Sequence, residues 1–334
     1  MLKQNILNFI ILILFSLTLG CGSDDSDNDT PTPDGKWKSV VYDVGNSKLP
    51  DNQVTAIETG KEGVMWIGTA KGLVKIKDTE WTIFNTTNSV LPSAHIRALS
   101  MEGNGKLWIG TDKGLLAYDG SKWNVYTTAN SVITDDSILC ISSDEKNKRI
   151  WVATENELIK IDSATGLWER FDSFEDNLIL SMAVAPDGKI WMGLFNHFAF
   201  RGRIVKFDGQ FAETFQLDHL GYPSTFPYSL SVSSNNVVSA VLTGTSVKAL
   251  IRIDAGAVSE LPLPDDLKGV RSLQQDAENL WVGGNTLVVY YGQVVEVITI
   301  PVNDTTITVI ASGKNNSKWL GTVNKGLIVL RKNE

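Results

Sequence analysis

The feature that most constrains this chain is a tryptophan that returns at a fixed interval. The segment Trp66-Ile-Gly-Thr is answered by Trp108-Ile-Gly-Thr, Trp151-Val-Ala-Thr, Trp191-Met-Gly, Trp281-Val-Gly-Gly and Trp319-Leu-Gly-Thr. The intervals are 42, 43, 40, 90 and 38 residues, and 90 is two periods with one tryptophan lost near Val238, so there are seven units. A period of ~40 to 45 residues is that of a four-stranded blade. Each unit supplies four short apolar runs, as at residues 96–99, 107–110, 115–118 and 123–126, separated by turn residues such as Gly103, Gly105, Asp119-Gly120 and Asp187-Gly188. No unit holds a helical period, which excludes a helical solenoid.

A second pattern, an aromatic pair three to five residues apart, marks the fourth strand: Trp81 with Phe84, Trp123 with Tyr126, Trp168 with Phe171, Phe211 with Phe215. It also occurs at Trp37 with Tyr42, ahead of the first full unit, whereas the last unit stops after residues 326–330 without one. The expected fold is therefore all-β: a seven-bladed β-propeller of four-stranded blades over residues 36–334, closed by an N-terminal strand that completes the last blade. Closure removes the free edges that an open array would expose. One tryptophan per blade at constant phase reads as packing between blades.

The Trp-Ile-Gly-Thr-x-x-Gly-Leu units and the lead-ins Asn46-Ser-Lys-Leu-Pro50, Asn88-Ser-Val-Leu-Pro92 and Asn130-Ser-Val-Ile133 resemble the two-component regulator propeller repeats of periplasmic sensors of hybrid histidine kinases from Bacteroidetes. The resemblance spans nearly the whole mature chain and is most specific in units 1 to 3 and 7. In those sensors two such propellers precede an immunoglobulin-like domain, a membrane span and a kinase, and sense saccharides. The resemblance implies a binding propeller; with one propeller, this chain is expected to perform no phosphorylation itself.

The chain begins Met1-Leu2-Lys3, runs apolar from Ile6 to Leu19 with breaks at Asn8, Ser16 and Thr18, and reaches Gly20-Cys21. A bilayer-spanning helix needs ~20 apolar residues, whereas a cationic start, a shorter apolar run and a small residue form a cleaved export signal. Residues 1–20 look like a bacterial lipoprotein signal peptide, with Thr18-Leu19-Gly20-Cys21 as lipobox and Cys21 as the lipidated residue; an ordinary secreted protein is the plainer alternative. Residues 21–35 then read as the lipidated Cys and an acidic flexible tether, with five aspartates and no Lys or Arg. This acidic stretch resembles the signal that sends Bacteroidetes lipoproteins to the outer face of the outer membrane, so the expected address is an outer membrane lipoprotein, exposed at the cell surface or otherwise facing the periplasm.

With 30 basic and 38 acidic residues the net charge is -8, which leaves no surplus positive field for phosphates and argues against a nucleic-acid partner. Besides Cys21 the only cysteine is Cys140, so no intramolecular disulfide forms in the propeller. Contact with the membrane is expected through Cys21 alone, and a monomer is expected.

In a propeller the loops from a fourth strand to the next first strand share one face with the second-to-third loops, around the central channel, and that face is the default site. Two departures from the repeat fall there: residues 194–203 (LFNHFAFRGR) replace the short Thr-x-Lys-Gly turn, and residues 217–228 lengthen the lead-in to blade 5. The ligand-binding candidates are His197, Phe198, Phe200, Arg201, Arg203, His219, Tyr222, Phe226 and Tyr228, joined by His95 and by Arg97 and Arg271 at the starts of first strands. Aromatic rings for stacking and guanidinium groups for hydrogen bonding suit a saccharide or a protein loop; packing of a degenerate blade is the alternative. No metal-ligand spacing, nucleophile elbow or phosphate loop exists, so neither a cofactor nor a metal is expected. The expected function is a non-catalytic ligand- or protein-binding propeller on a lipid anchor, related to glycan sensing or uptake. The alternatives are a propeller lyase or hydrolase, with His197 or His219 as base, and a structural subunit of a surface complex.

Overall fold

Strands such as Met65–Thr69 and Leu107–Thr111 are buried at every position. An alternating pattern would leave one face in water, whereas these strands are covered on both, because each sheet is sandwiched between two others. The computed structural model describes residues 30–31, 35–155, 157–172, 174, 177–244, 248–277, 279–292 and 294–333 as a ring of seven antiparallel sheets. The export signal, Cys21 and most of the tether lie outside the described residues.

Blade 1 is Val54–Thr59, Met65–Thr69, Gly72–Lys77 and Glu80–Phe84, innermost strand first, and blades 2 to 6 repeat the order. Blade 7 takes Ile307–Ser312, Lys318–Thr322 and Leu327–Lys332 from the C-terminal end and its fourth strand, Trp37–Tyr42, from the N-terminal end. Six residue pairs join them, from Trp37 opposite Lys332 to Tyr42 opposite Leu327. Ring closure is as the sequence indicated. A further short strand, Thr30–Pro31, pairs with Lys38 and Ser39 as a fifth strand, in a stretch that reads from sequence as tether.

The repeat residues have separate physical duties. Trp66, Trp108, Trp151, Trp191 and Trp281 are buried to 4% exposure or less between blades, while Trp319 is only half-buried. Lys75, Lys160 and Lys206, cross-strand partners of Trp66, Trp151 and Trp191, lie over their rings at 5.5, 6.0 and 5.3 Å. The glycine after the tryptophan makes room for the neighbouring blade, since a Cβ on Gly68 or Gly110 would stand 2.6 Å from the Ile96 or Ile138 side chain. Thr69 and Thr111 close the following turn by donating from Oγ1 to the carbonyls of Gly72 and Gly114 at 2.8 and 2.9 Å. In the lead-ins, Asn88 bridges its turn by accepting from the Asn85 amide and donating to the Ile83 carbonyl, and Leu91 is buried beneath it.

Two details go beyond the sequence reading. The tryptophan position of blade 5, judged by pairing with Ser231 and Arg252, is Ser239, next to Val238 as the spacing indicated. The seam between blades 5 and 6 is filled instead by Tyr290, whose hydroxyl donates to the Pro262 carbonyl. The segment 194–203 is not a long loop. Ile190–Asn196 and Arg201–Phe207 pair along their full length, leaving a tight turn at residues 197–200, because nothing like the Thr-x-x-Gly closure ends the strands earlier. The last third of the second segment, residues 225–228, is likewise strand, the start of Thr225–Val232.

Candidate functional site at the channel mouth

Each innermost strand runs from the face that carries the lead-in loops, here the upper face, toward the lower face. The upper ends of these strands surround a central cavity of about 540 Å³, lined by Arg97, Arg271 and Tyr228 at its mouth and by Ile57, Leu99 and Leu230 deeper in. The Arg271 guanidinium lies 5.6 Å from the Tyr228 ring centre. Arg271 is exposed and forms no ion pair among the described residues.

From Tyr228 a line of rings leads outward. Phe226 lies 6.5 Å from Tyr228, Phe195 5.0 Å from Phe226 and Phe200 5.7 Å from Phe195, centre to centre. The line is possible because Gly202 and Gly193 carry no side chain: a Cβ on either would stand 2.2 and 2.5 Å from the backbone carbonyls of Thr225 and Pro227. Blade 5 therefore sits directly against the strands of blade 4, and the rings of both meet. Phe198 and Phe200 are 77% and 60% exposed, and the His197 ring lies 4.0 Å from Phe198. Phe195 was not among the sequence candidates. Its phase in a second strand gave no signal that the strand continues past the usual turn.

Arg97 is different in character from Arg271. Its Nε donates to Asp112 Oδ1, while His95 Nδ1 meets Asp112 Oδ2 at 2.8 Å. Burial would raise the Asp112 pKa, but the hydrogen bonds from Arg97 and His95 outweigh it and hold the carboxyl below the usual range. His95, brought to the channel mouth by the lead-in to blade 2, is thus the histidine among the three candidates whose ring is oriented by a carboxylate.

Other candidates are not brought together. Tyr222 points outward, donating to Glu260 Oε2 at 2.7 Å; burial and the Glu260 carboxylate push its pKa up to about 12. Arg201 pairs with Asp218 at 3.6 Å on the rim. Arg203 shares its strand face with Val205, which packs toward blade 3, so it faces away from the Phe226 line; burial lowers its pKa. His219 is exposed on the lead-in to blade 5, with its backbone amide bonded to Asp218 Oδ1. Among the described residues no cluster of His, Cys, Asp and Glu is arranged to hold a metal ion.

These observations define the class: a seven-bladed β-propeller whose upper face opens into an aromatic and cationic channel mouth. Residues 48–71 match the family described as two component regulator propeller, the repeat that the Trp-Ile-Gly-Thr units resemble. A comparison with curated proteins finds no match. Among solved structures, virginiamycin B lyase from Staphylococcus aureus is similar with a TM-score of 0.72 and 14% identity, over 89% of this chain and 100% of the lyase. The extracellular domain assigned to a hybrid two component system of B. thetaiotaomicron is similar with a TM-score of 0.67 and 20% identity, over 84% of this chain and 40% of that one. YCF48 bound to a D1 peptide is similar with a TM-score of 0.66 and 14% identity, over 92% of this chain and 98% of YCF48. At these identities the likeness establishes the fold.

Proposed function

We propose that this chain is a non-catalytic binding propeller of the cell envelope, held by a lipidated Cys21, and that its ligand lies along the upper face into the channel mouth. The observation that carries this reading is the line Phe200, Phe195, Phe226, Tyr228 ending at Arg271. An exposed aromatic line on a soluble face is costly in water and is relieved by a ligand that covers it. Arg271, without an acidic partner among the described residues, supplies directional hydrogen bonds to a carboxylate or another anionic group on that ligand. Extracellular placement of a similar propeller in a two-component system supports the envelope address, and a similar propeller, YCF48, solved bound to a D1 peptide, supports a binding role.

The test is binding by the double variant Tyr228→Ala with Arg271→Ala beside the unaltered protein, on a glycan array and in a partner pull-down. The expected result is at least a tenfold weaker interaction, about 1.4 kcal/mol, with melting unchanged within a few degrees. Equal binding by both proteins would move the site elsewhere.

One observation favours a catalytic reading as well. The His95–Asp112 pair at the channel mouth has the geometry of an oriented general base, and the similar lyase is an enzyme of matching size. Under that reading His95→Ala abolishes turnover while sparing affinity; under the binding reading it affects neither by more than a small factor.

A further inference from the structure

Blade 5 lacks the repeat tryptophan, and beside the Tyr290 ring its seam with blade 6 stays open toward the lower face as a cavity of about 300 Å³. Ser239, at the tryptophan position, lines it together with Arg252, Tyr290, Ser233, Gln275 and Leu280. A cavity of about 150 Å³ has room for a benzene ring, so this one has room for a larger planar ring.

The groups around this space are those that other seams place around an indole. Tyr290, opposite Leu280, has the phase of Tyr118, opposite Leu107, and of Phe207, opposite Ile190. Tyr118 meets the Trp66 ring of the preceding blade edge-on at 5.8 Å, and Phe207 meets Trp151 edge-on at 6.0 Å. Tyr290 faces a blade without a tryptophan. Arg252, opposite Ser239, has the phase of Lys75, Lys160 and Lys206, which lie over their own tryptophans at 5.5, 6.0 and 5.3 Å. Blade 5 therefore keeps the cation and has lost the ring beneath it.

An acidic group is missing as well. In blades 2 and 6 the indole N–H donates to Glu102 and Asp276. The matching residue of blade 5 is Ser233, whose amide bonds to the Val237 carbonyl as those of Glu102 and Asp276 bond to Lys106 and Asn279. Among the described residues that line the cavity, one is a cation and none is acidic, and the nearby Asp276 is engaged by Lys318 and Trp281 in the next seam. Arg252 forms no ion pair among the described residues.

We infer that this cavity binds a small aromatic carboxylic acid whose ring takes the place of the missing indole. The ring lies under the Arg252 guanidinium, with the Tyr290 ring at its side and Leu280 as an apolar contact. A guanidinium stacks through its face and keeps its N–H groups for the carboxylate. Ser233 Oγ accepts from the Val237 amide and retains its own proton to donate to the ligand. A non-aromatic acid forgoes the ring contacts, and an aromatic amine brings a second cation against Arg252. This assignment does not rest on the channel-mouth reading.

The test is calorimetric titration of the full chain with indoleacetate, cyclohexylacetate and tryptamine. Indoleacetate is expected to bind about tenfold or more tighter than either other probe, and more weakly as salt rises. Ser239→Trp rebuilds the repeat within the chain, so it is expected to abolish binding and to melt no lower than the unaltered protein. Arg252→Gln, at a partly exposed position, is expected to weaken indoleacetate at least tenfold with melting unchanged within a few degrees, and it decides the matter if Ser239→Trp does not fold. Arg271→Ala, at the channel mouth, is expected to leave binding unchanged. The assignment is overturned by absence of indoleacetate binding to the folded protein, by equal or tighter binding of either other probe, by loss of binding with Arg271→Ala, or by full binding in folded Arg252→Gln or Ser239→Trp.

Discussion

At Gly110 the backbone of one blade meets the Ile138 side chain of the next, and a methyl group there would stand 2.6 Å from Ile138 Cγ2. The neighbour is a β-branched side chain at zero exposure, hemmed in by Ile150 and Ile159, so it has nowhere to retreat. Gly110→Ala is therefore expected to destabilise by ~1 to 3 kcal/mol through overpacking, measured by denaturant unfolding; a neutral result would show the seam to be looser than its distances. The same substitution at the tether-side Gly35, where a Cβ meets nothing within 4 Å, has no such clash, although its φ of 70° carries a backbone cost of its own. The glycine, the threonine and the lead-in asparagine were all legible from the repeat because each does the same work in several blades. Arg252 and Phe195 were not, since each acquires its meaning from what differs in one blade.

Among elements, the closing strand Trp37–Tyr42 bears the greatest responsibility relative to its length. Trp37 is 5% exposed, meets Trp281 edge-on at 5.9 Å and packs in the same cluster as Leu330. Removing residues up to Asn46 deletes this packing and uncovers the edge of Leu327–Lys332. Loss of the buried tryptophan alone costs ~3 to 5 kcal/mol, and at ~2 to 4 °C per kcal/mol for a domain of this size the melting point is expected to fall by about 10 °C or more. A truncated protein that melts with the intact one would show that blade 7 stands on three strands. The strand was predictable because its aromatic pair has the phase of a fourth strand and the last unit lacks one. What escaped sequence reading was element length: residues 194–203 look like an insertion, and only backbone pairing from Ile190 opposite Phe207 to Asn196 opposite Arg201 shows two strands prolonged past the usual turn. Composition placed His197, Tyr222 and Arg203 in one site; strand alternation sends Arg203 toward blade 3, and the hydrogen bond that the Tyr222 hydroxyl donates to Glu260 sends Tyr222 outward.

For the whole molecule, the proton balance of folding includes one carboxyl group that runs against the other shifted carboxyl groups among the described residues. Burial, reinforced by the nearby Glu145 and opposed by a hydrogen bond with the Met101 backbone, raises the pKa of Glu58 to about 8, whereas Asp112 and Asp276 are held below the usual carboxylate range. Between the ordinary carboxylate pKa and about 8 the folded protein holds a proton on Glu58 that the unfolded chain has released. Its contribution to stability is therefore full only below the ordinary carboxylate pKa and is lost as pH rises from there through about 8. Glu58→Gln is expected to remove that component, so that the variant gains on the unaltered protein between pH 5 and pH 9 in thermal melts; parallel curves would place Glu58 in water. The lowered aspartates act in the opposite direction, at acid pH, in both proteins.

The non-covalent join in blade 7 also has a mechanical side. Under the proposed anchorage a pull on the N-terminal end first reaches the two pairings of Thr30–Pro31 with Ser39 and Lys38, and once these part it is directed along the Trp37–Tyr42 strand. Its six pairings with Leu327–Lys332 are then sheared together and not unzipped one by one, which is the loading direction in which a β ladder holds longest. Where rupture is governed by the unfolding rate, the ring serves as its own clasp, and a pull at the anchor is carried around it before any single blade is opened.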